Sequence, residues 1–172
     1  PEAAAYILAT FDGSAEQVAE SVAKAREVAD ATGAMDFSPL DDPASSARIW
    51  QVRGCLVKAV EATSEQEPVD LVVPINQTSQ FVKYVHELEA ESGMMMVAFG
   101  HAGDGNVHLC IVRGQRGDEA WEKELTANMT RLYSKAHELG GRTSCEHGIG
   151  LAKRPYFLCS TPEVNLSVMR DI

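Results

Sequence analysis

Two histidines and a turn between them carry the first chemical signal in this chain. Residues 99–112 read Phe-Gly-His-Ala-Gly-Asp-Gly-Asn-Val-His-Leu-Cys-Ile-Val. Asp104-Gly105 is a strong short-range signal for a two-residue hairpin turn, in which both turn positions take φ > 0. Counting outward from that turn sets Gly103 opposite Asn106, Ala102 opposite Val107, His101 opposite His108 and Phe99 opposite Cys110. Side chains directly opposed on one face of an antiparallel pair have Cβ atoms roughly 4.5–5.5 Å apart. Two imidazoles at that spacing can share one small cation. The competing reading is a pair of half-buried polar residues on a strand pair. Gly100, Gly103 and Gly105 favour the cation, since they bare the backbone as happens where a ligand approaches closely.

A second dense stretch is Ser144-Cys145-Glu146-His147-Gly148-Ile149-Gly150. Glu146 can supply an oxygen ligand beside His101 and His108. Two histidines and one carboxylate leave coordination positions open, as a catalytic cation requires. His147 then has an imidazole to spare, and its ordinary pKa near neutrality suits a general base. An ordinary surface turn at Glu146-His147 is the alternative. Lys153 and Arg154 are either solvated charges or groups that meet an anionic substrate. Asp104 needs no role beyond the turn, and Cys110 and Cys145 read as small buried fillers.

The elements that must position these groups alternate along the chain. Tyr6–Phe11 reads as a short strand. Ser14 and Gln17 form a capping-box pattern ahead of a helix with Val18, Val22, Ala25, Val28 and Ala29 on one side, stopped by Gly33. Met35–Leu40 reads as a second strand. Asp41-Asp42-Pro43 starts a helix whose apolar stripe is Ile49, Val52, Leu56 and Val60; Arg53 lies beside that stripe. Val69–Val73 is a short, mostly apolar stretch ending at Pro74, and Phe81, Val82, Val85 and Leu88 mark a helix closed by Gly93. After the histidine hairpin, Trp121, Leu125, Met129, Leu132, Ala136 and Leu139 give a helix of about five turns by 3.6-residue periodicity. A last helix starts near Glu163. Four or five strands with four or five helices predict an α+β fold, ferredoxin-like in outline, with a mostly antiparallel sheet and helices packed on one face. A doubly wound parallel sheet would want a glycine-rich phosphate loop after the first strand, and Asp12-Gly13-Ser14-Ala15 is not one.

Bulk properties narrow the function. The 172 residues allow one domain, two at most. A net charge of −10 argues against bulk binding to DNA or RNA, which demands a basic face. No apolar run approaches the ~18 residues of a transmembrane helix. No signal peptide is visible. The four cysteines, Cys55, Cys110, Cys145 and Cys159, lack Cys-x-x-Cys spacing, which predicts reduced thiols in a cytoplasmic protein and no zinc finger.

Taken together, these residues resemble a known family. Gly100-His101-Ala102-Gly103-Asp104-Gly105-Asn106-Val107-His108 resembles the Gly-His-x-Gly-Asp-Gly-Asn-x-His signature of FAD-linked oxidases. Glu146-His147-Gly148-Ile149-Gly150, followed by Lys153-Arg154, resembles that family's second signature. Asp70-Leu71-Val72-Val73-Pro74 matches its Asp-x-x-x-Pro step, and Ile49-Trp50-Gln51-Val52-Arg53 its Trp-x-x-Arg step. The similarity covers most of the chain. The family includes D-lactate dehydrogenases, the D subunit of glycolate oxidase and D-2-hydroxyglutarate dehydrogenase.

The resemblance implies that residues 1–172 are the C-terminal cap, or substrate, domain of such an enzyme, with the N-terminal FAD domain absent. The chain starts at Pro1 without Met. It stops at Met169-Arg170-Asp171-Ile172, before the Asn-Pro-Gly-Lys tail usual in such proteins, so the expectation is a piece that does not turn over alone. Residue by residue, His101, His108 and Glu146 match the ligands of a divalent metal (Zn²⁺, Mn²⁺ or Fe²⁺). His147 matches the base, and Arg53 the arginine that holds the substrate carboxylate. The implied reaction oxidises a small 2-hydroxy acid to the 2-oxo acid. The metal polarises the hydroxyl, His147 takes its proton, and FAD carries the redox step.

Some members place a lysine just before the Asp-x-x-x-Pro step, where Glu67-Pro68-Val69 stands here. Some place an asparagine two residues after the second histidine, where Cys110 stands here. Both departures disfavour a dicarboxylate such as 2-hydroxyglutarate and favour D-lactate or glycolate. The implied partners are the substrate, the FAD domain and an electron acceptor of unspecified identity. A homodimer is allowed, and the location is cytoplasmic or peripheral at the inner membrane. The alternative is a freestanding metal- or ligand-binding α+β module without redox activity.

Overall fold

The computed structural model describes residues 5–172; the first four residues of the expected 1–172 domain lie outside them. Two compact units divide the chain, one up to Gly54 and the other from Cys55 to Ile172.

The first unit is helical. Helix α1 (Ala15–Ala31) starts as expected. Ser14 accepts the Gln17 backbone N–H, and the Gln17 side chain accepts the Ser14 N–H in return. Helix α2 (Pro43–Gly54) starts on Asp42, whose carboxylate accepts the Ala44 and Ser45 N–H groups. The expected strands at Tyr6–Phe11 and Met35–Leu40 do not form; both stretches are irregular. β-propensity expresses a fit to neighbouring strands, and the described residues of this unit offer no strand to pair with.

The second unit holds the core and the sheet. A short helix α3 (Leu56–Glu61) follows α2 directly, so the expected stripe Ile49, Val52, Leu56 and Val60 is split between two helices. The break falls at Cys55, just after Gly54, a residue of poor helix propensity. Strand β1 (Gln66–Val72), helix α4 (Thr78–Ser92), strands β2 (Met96–His101) and β3 (Asn106–Val112), and helix α5 (Asp118–Glu138) come next. Helices α6 (Arg154–Ser160) and α7 (Glu163–Asp171) complete the chain. Helix α7 was expected; α6 was not, and its seven residues are too short to show a periodic stripe.

The class is α+β with an antiparallel sheet, as expected, but the described residues contain three strands rather than four or five, in the order β1-β3-β2. Pro68 sits in β1, an edge strand, where its missing N–H can face away from the ladder. Alternation assigns the two faces. Val69 and Leu71 of β1, Val107, Leu109 and Ile111 of β3 and Met96 of β2 pack with Phe81, Val85 and Leu88 of α4 and Trp121, Met129 and Leu132 of α5. Helices α4 and α5 thus bury the odd-numbered positions of β1 and β3. The even-numbered positions of those strands point the other way, and they carry the site.

Candidate metal and substrate site

The hairpin differs from its expected register. Strand β2 ends at His101, a single 3-10 turn spans Ala102–Asp104, and β3 begins at Asn106. His101 therefore faces Asn106, and His108 faces Phe99. The expected type I′ turn needs φ > 0 at both central residues, but Asp104 has negative φ and Gly105 alone of the pair is left-handed, at φ 71°. The Gly105 carbonyl accepts the Val73 N–H at 2.9 Å. A Cβ on Gly105 would lie 2.0 Å from the Val73 carbonyl oxygen, and one on Gly100 would lie 2.4 Å from that of Asn106. These two glycines make room for the protein's own backbone rather than for a ligand.

The displacement is by two residues, so no side chain changes face. His101 and His108 become diagonal neighbours instead of a direct pair, with ring centroids 5.7 Å apart and planes nearly perpendicular. They share one face of the sheet in either register.

Glu146 and His147 arrive from the segment after α5. That segment is tied to the sheet's edge at two levels. The Arg142 main chain exchanges hydrogen bonds with Val72, N–H to carbonyl at 2.8 and 3.3 Å, adding an isolated bridge to β1. One turn further on, the Asp70 carboxylate collects four donors on Oδ2. These are the Ser144 hydroxyl at 2.7 Å and the backbone N–H groups of Cys145, Glu146 and His147 at 3.1, 3.2 and 3.0 Å. Asn106 Nδ2 donates to Asp70 Oδ1 at 2.8 Å.

His101, His108 and Glu146 then converge, one ligand atom from each lying within 4.8 Å of the others. Glu146 Oε1 is 3.2 Å from His108 Nε2 and 3.9 Å from His101 Nε2. His108 is the floor, with 8% of its side chain exposed, whereas Glu146 is 53% exposed. The other ring nitrogen of His108, Nδ1, faces Asp70 Oδ1 at 3.6 Å, so Nε2 is the atom left to bind. Imidazole backed by a carboxylate is the usual arrangement behind a metal-ligating histidine. The donor set fits a borderline divalent cation with open positions.

Electrostatics agree with that chemistry. Burial pushes the His108 imidazole below its ordinary pKa, helped by the His147 and His101 rings and opposed by the Asp70 and Glu146 carboxylates. The neutral ring, the form that ligates, is favoured. Burial alone would raise Asp70. The donated bonds from the His147 N–H, the Ser144 hydroxyl, the Asn106 amide and the Cys145 N–H outweigh it, holding that carboxyl well below the usual carboxylate range.

His147 stacks on His108, ring centroids 5.0 Å apart, with Nε2 3.7 Å from Glu146 Oε1. Its side chain is 55% exposed, so the ring can reach a substrate proton. Lys153 is not a solvated charge: its side chain is largely buried, with Nζ 3.8 Å from Asp70 Oδ2. Arg154 is exposed. Arg53 lies in the last turn of α2, in the first unit, while the histidine and glutamate cluster belongs to the second. In the sequence Asp70 stands only as the first residue of the Asp-x-x-x-Pro match, with no task of its own. The available signal was a lone carboxylate inside the apolar run Val69–Val73, a position that burial allows only to a partnered charge.

The model of FAD linked oxidases, C-terminal domain, matches residues 1–172, and the chain belongs to that family. Among curated relatives, a D-lactate dehydrogenase of Anaerostipes hadrus is 40% identical, over 99% of this chain and 36% of its own length. A D-lactate dehydrogenase of Archaeoglobus fulgidus is 34% identical, over 88% of this chain and 32% of its own length. The glycolate oxidase subunit GlcD of Bacillus subtilis is 26% identical, over 99% of this chain and 36% of its own length. The chain thus spans about a third of the length of these relatives. The four cysteines are free, and no helix among the described residues is long and apolar enough to cross a membrane.

Proposed function

We propose that residues 1–172 form the C-terminal, substrate- and metal-binding domain of an FAD-dependent enzyme that oxidises a small 2-hydroxy acid to the 2-oxo acid. An N-terminal domain of the same protein would hold the flavin. The observation that carries this reading is the convergence of His101, His108 and Glu146 from two distant segments. Those three side chains would hold a divalent cation, Zn²⁺, Mn²⁺ or Fe²⁺. When bound, the cation supplies Lewis-acid polarisation of the substrate's hydroxyl and carboxylate oxygens, and the flavin supplies the redox chemistry.

The chain's own residues do the rest. His147 accepts the substrate hydroxyl proton at a ring nitrogen, and its stacking on His108 restricts the ring to orientations beside the donor cluster. Its main chain is fixed by the bond to Asp70. Arg53 takes the substrate carboxylate in a bidentate grip, an assignment carried by the Trp-x-x-Arg match.

The substrate is a short monocarboxylate, D-lactate or glycolate. A second carboxylate needs further donors. Cys110, on the face that carries the site, is buried, with its thiol pKa pushed up by burial and by Glu61, and is no such donor. The free thiols fit a reducing compartment, consistent with a cytoplasmic protein or one peripheral at the inner membrane.

The test is turnover by the intact protein against a panel of D- and L-2-hydroxy acids with an artificial electron acceptor, beside Glu146→Ala and His147→Gln. The expected result is activity on a short D-2-hydroxy acid or glycolate, lost in both variants. Metal binding without turnover of any panel member would favour a module without redox activity.

A further inference from the structure

We propose that Asp70 is the positioning residue of this site. Its buried carboxylate docks the 144–147 segment onto the sheet and so sets where the Glu146 carboxylate stands relative to the two histidines. The proposal rests on the metal reading of the cluster and adds to it a residue that touches neither metal nor substrate.

Three observations carry it. Asp70 is 1% exposed, in the middle of an edge strand whose neighbours Val69 and Leu71 are core. Its two oxygens divide the work. Oδ2 takes the Ser144 hydroxyl and three consecutive backbone amides, 145 to 147; Oδ1 takes Asn106 and faces His108 Nδ1. One carboxylate therefore bonds the main chain of Glu146 and His147 and stands 3.6 Å from the ring of His108, although these residues lie far apart in sequence.

Consecutive amides aimed at one oxygen form an anion-binding concavity. Here the anion it holds is an internal side chain. Glu146 and His147 have exposed side chains on a loop without regular structure, so nothing in their local sequence fixes them. The capture of their amides by Asp70 does. A buried carboxylate left without those donors is strongly unfavourable, which keeps the segment seated before any cation arrives.

Asp70→Asn tests this. An amide offers one neutral acceptor oxygen in place of a charged carboxylate, so the four donors that meet at Oδ2 face a weaker acceptor or an opposed NH₂ group. The intact protein is stripped of metal and titrated with Mn²⁺ followed by electron paramagnetic resonance. The ligand-field spectrum is recorded with saturating Co²⁺, and hydrogen exchange is followed over residues 143–150.

The expected result for Asp70→Asn is Mn²⁺ affinity lower by roughly 10–100-fold, the range typical of partners behind metal ligands, with an altered Co²⁺ spectrum and faster exchange at 145–147. Ser144→Ala removes a single donor and should weaken Mn²⁺ by a few-fold, within about tenfold. Glu146→Ala should lose Mn²⁺ binding while keeping slow exchange at 145–147, because its amide remains bonded to Asp70.

Wild-type Mn²⁺ affinity and an unchanged Co²⁺ spectrum in folded Asp70→Asn overturn the proposal and leave the metal reading standing, provided that Glu146→Ala has lost the ion. Wild-type affinity in Glu146→Ala overturns both. Should Asp70→Asn not fold, Ser144→Ala decides: affinity equal to wild type overturns the proposal.

Discussion

The two faces of the β1-β3-β2 sheet are drawn from alternate residues of the same strands, yet they are held by different physics. On one face Leu71, Leu109 and Ile111 are sealed under α4 and α5, and any side chain of similar shape and hydrophobicity would serve. On the other, Asp70, Asn106 and His108 are equally buried but polar. Asp70 and Asn106 are joined by a hydrogen bond with its own direction, and His108 stands close to the Asp70 and Glu146 carboxylates. The apolar face supplies stability and tolerates conservative change. The polar face supplies little net stability, because each internal hydrogen bond replaces one to water, but it fixes the geometry of the donors. A sheet one layer thick thus anchors a site on one side by burying hydrocarbon on the other.

Substitutions on the two faces should therefore separate stability from ion binding. Leu109→Ala, on the apolar face, should have the largest effect on stability, about 2–5 kcal/mol by denaturant unfolding of the metal-free protein. Mn²⁺ affinity of the folded fraction should stay near wild type. Gly105→Ala strains the turn joining the two site strands, where the added Cβ would meet the Val73 carbonyl. It should destabilise by about 1–3 kcal/mol and also weaken Mn²⁺ binding, since His101 and His108 flank that turn.

Acidification should act mainly through the polar face. The His108 pKa is lowered by burial in the folded state. Its contribution to stability is therefore complete above the unfolded value of roughly 6.5 and is lost as the pH falls through the folded value. The native Asp70 pKa lies well below normal, so its contribution persists lower, fading only below the unfolded value of about 3.9. Metal-free unfolding followed from pH 8 to pH 3 should show a decline beginning near the histidine range. His108→Gln should remove that early decline. The smallest effect on metal-free stability belongs to Glu146→Ala, within about 0.5 kcal/mol, as for an exposed side chain. The same variant should lose more than the roughly 10–100-fold in Mn²⁺ affinity typical of partners behind the ligands. Equal losses of stability and affinity across Leu109→Ala and Glu146→Ala would erase the distinction between the faces.

Legibility from sequence follows the same division. Helices α1, α4 and α5 were readable because apolar positions recur at helical spacing and their ends carry local signals, the Ser14–Gln17 box and Gly93. The pairing of His101 with His108 on one face was readable because strand alternation has period two, and a register error of two residues leaves it intact. The register itself was not. It depends on the Gly105 carbonyl being held by Val73, a contact across more than thirty positions of chain. The strands expected in the first unit failed for the same kind of reason, since pairing needs a second strand that local pattern does not reveal.

What the residues alone determined were the chemistry on offer, its family and the helices that frame it. Ligand type and local periodicity are properties of short stretches, and a short stretch contains them in full. Tertiary structure alone decided how far Glu146 stands from the histidines, that Lys153 turns inward to a carboxylate, and that Asp70 gathers the amides of a segment more than seventy residues away. Those are contacts between remote segments, selected by the burial of a charge that needs donors wherever the folded chain can supply them.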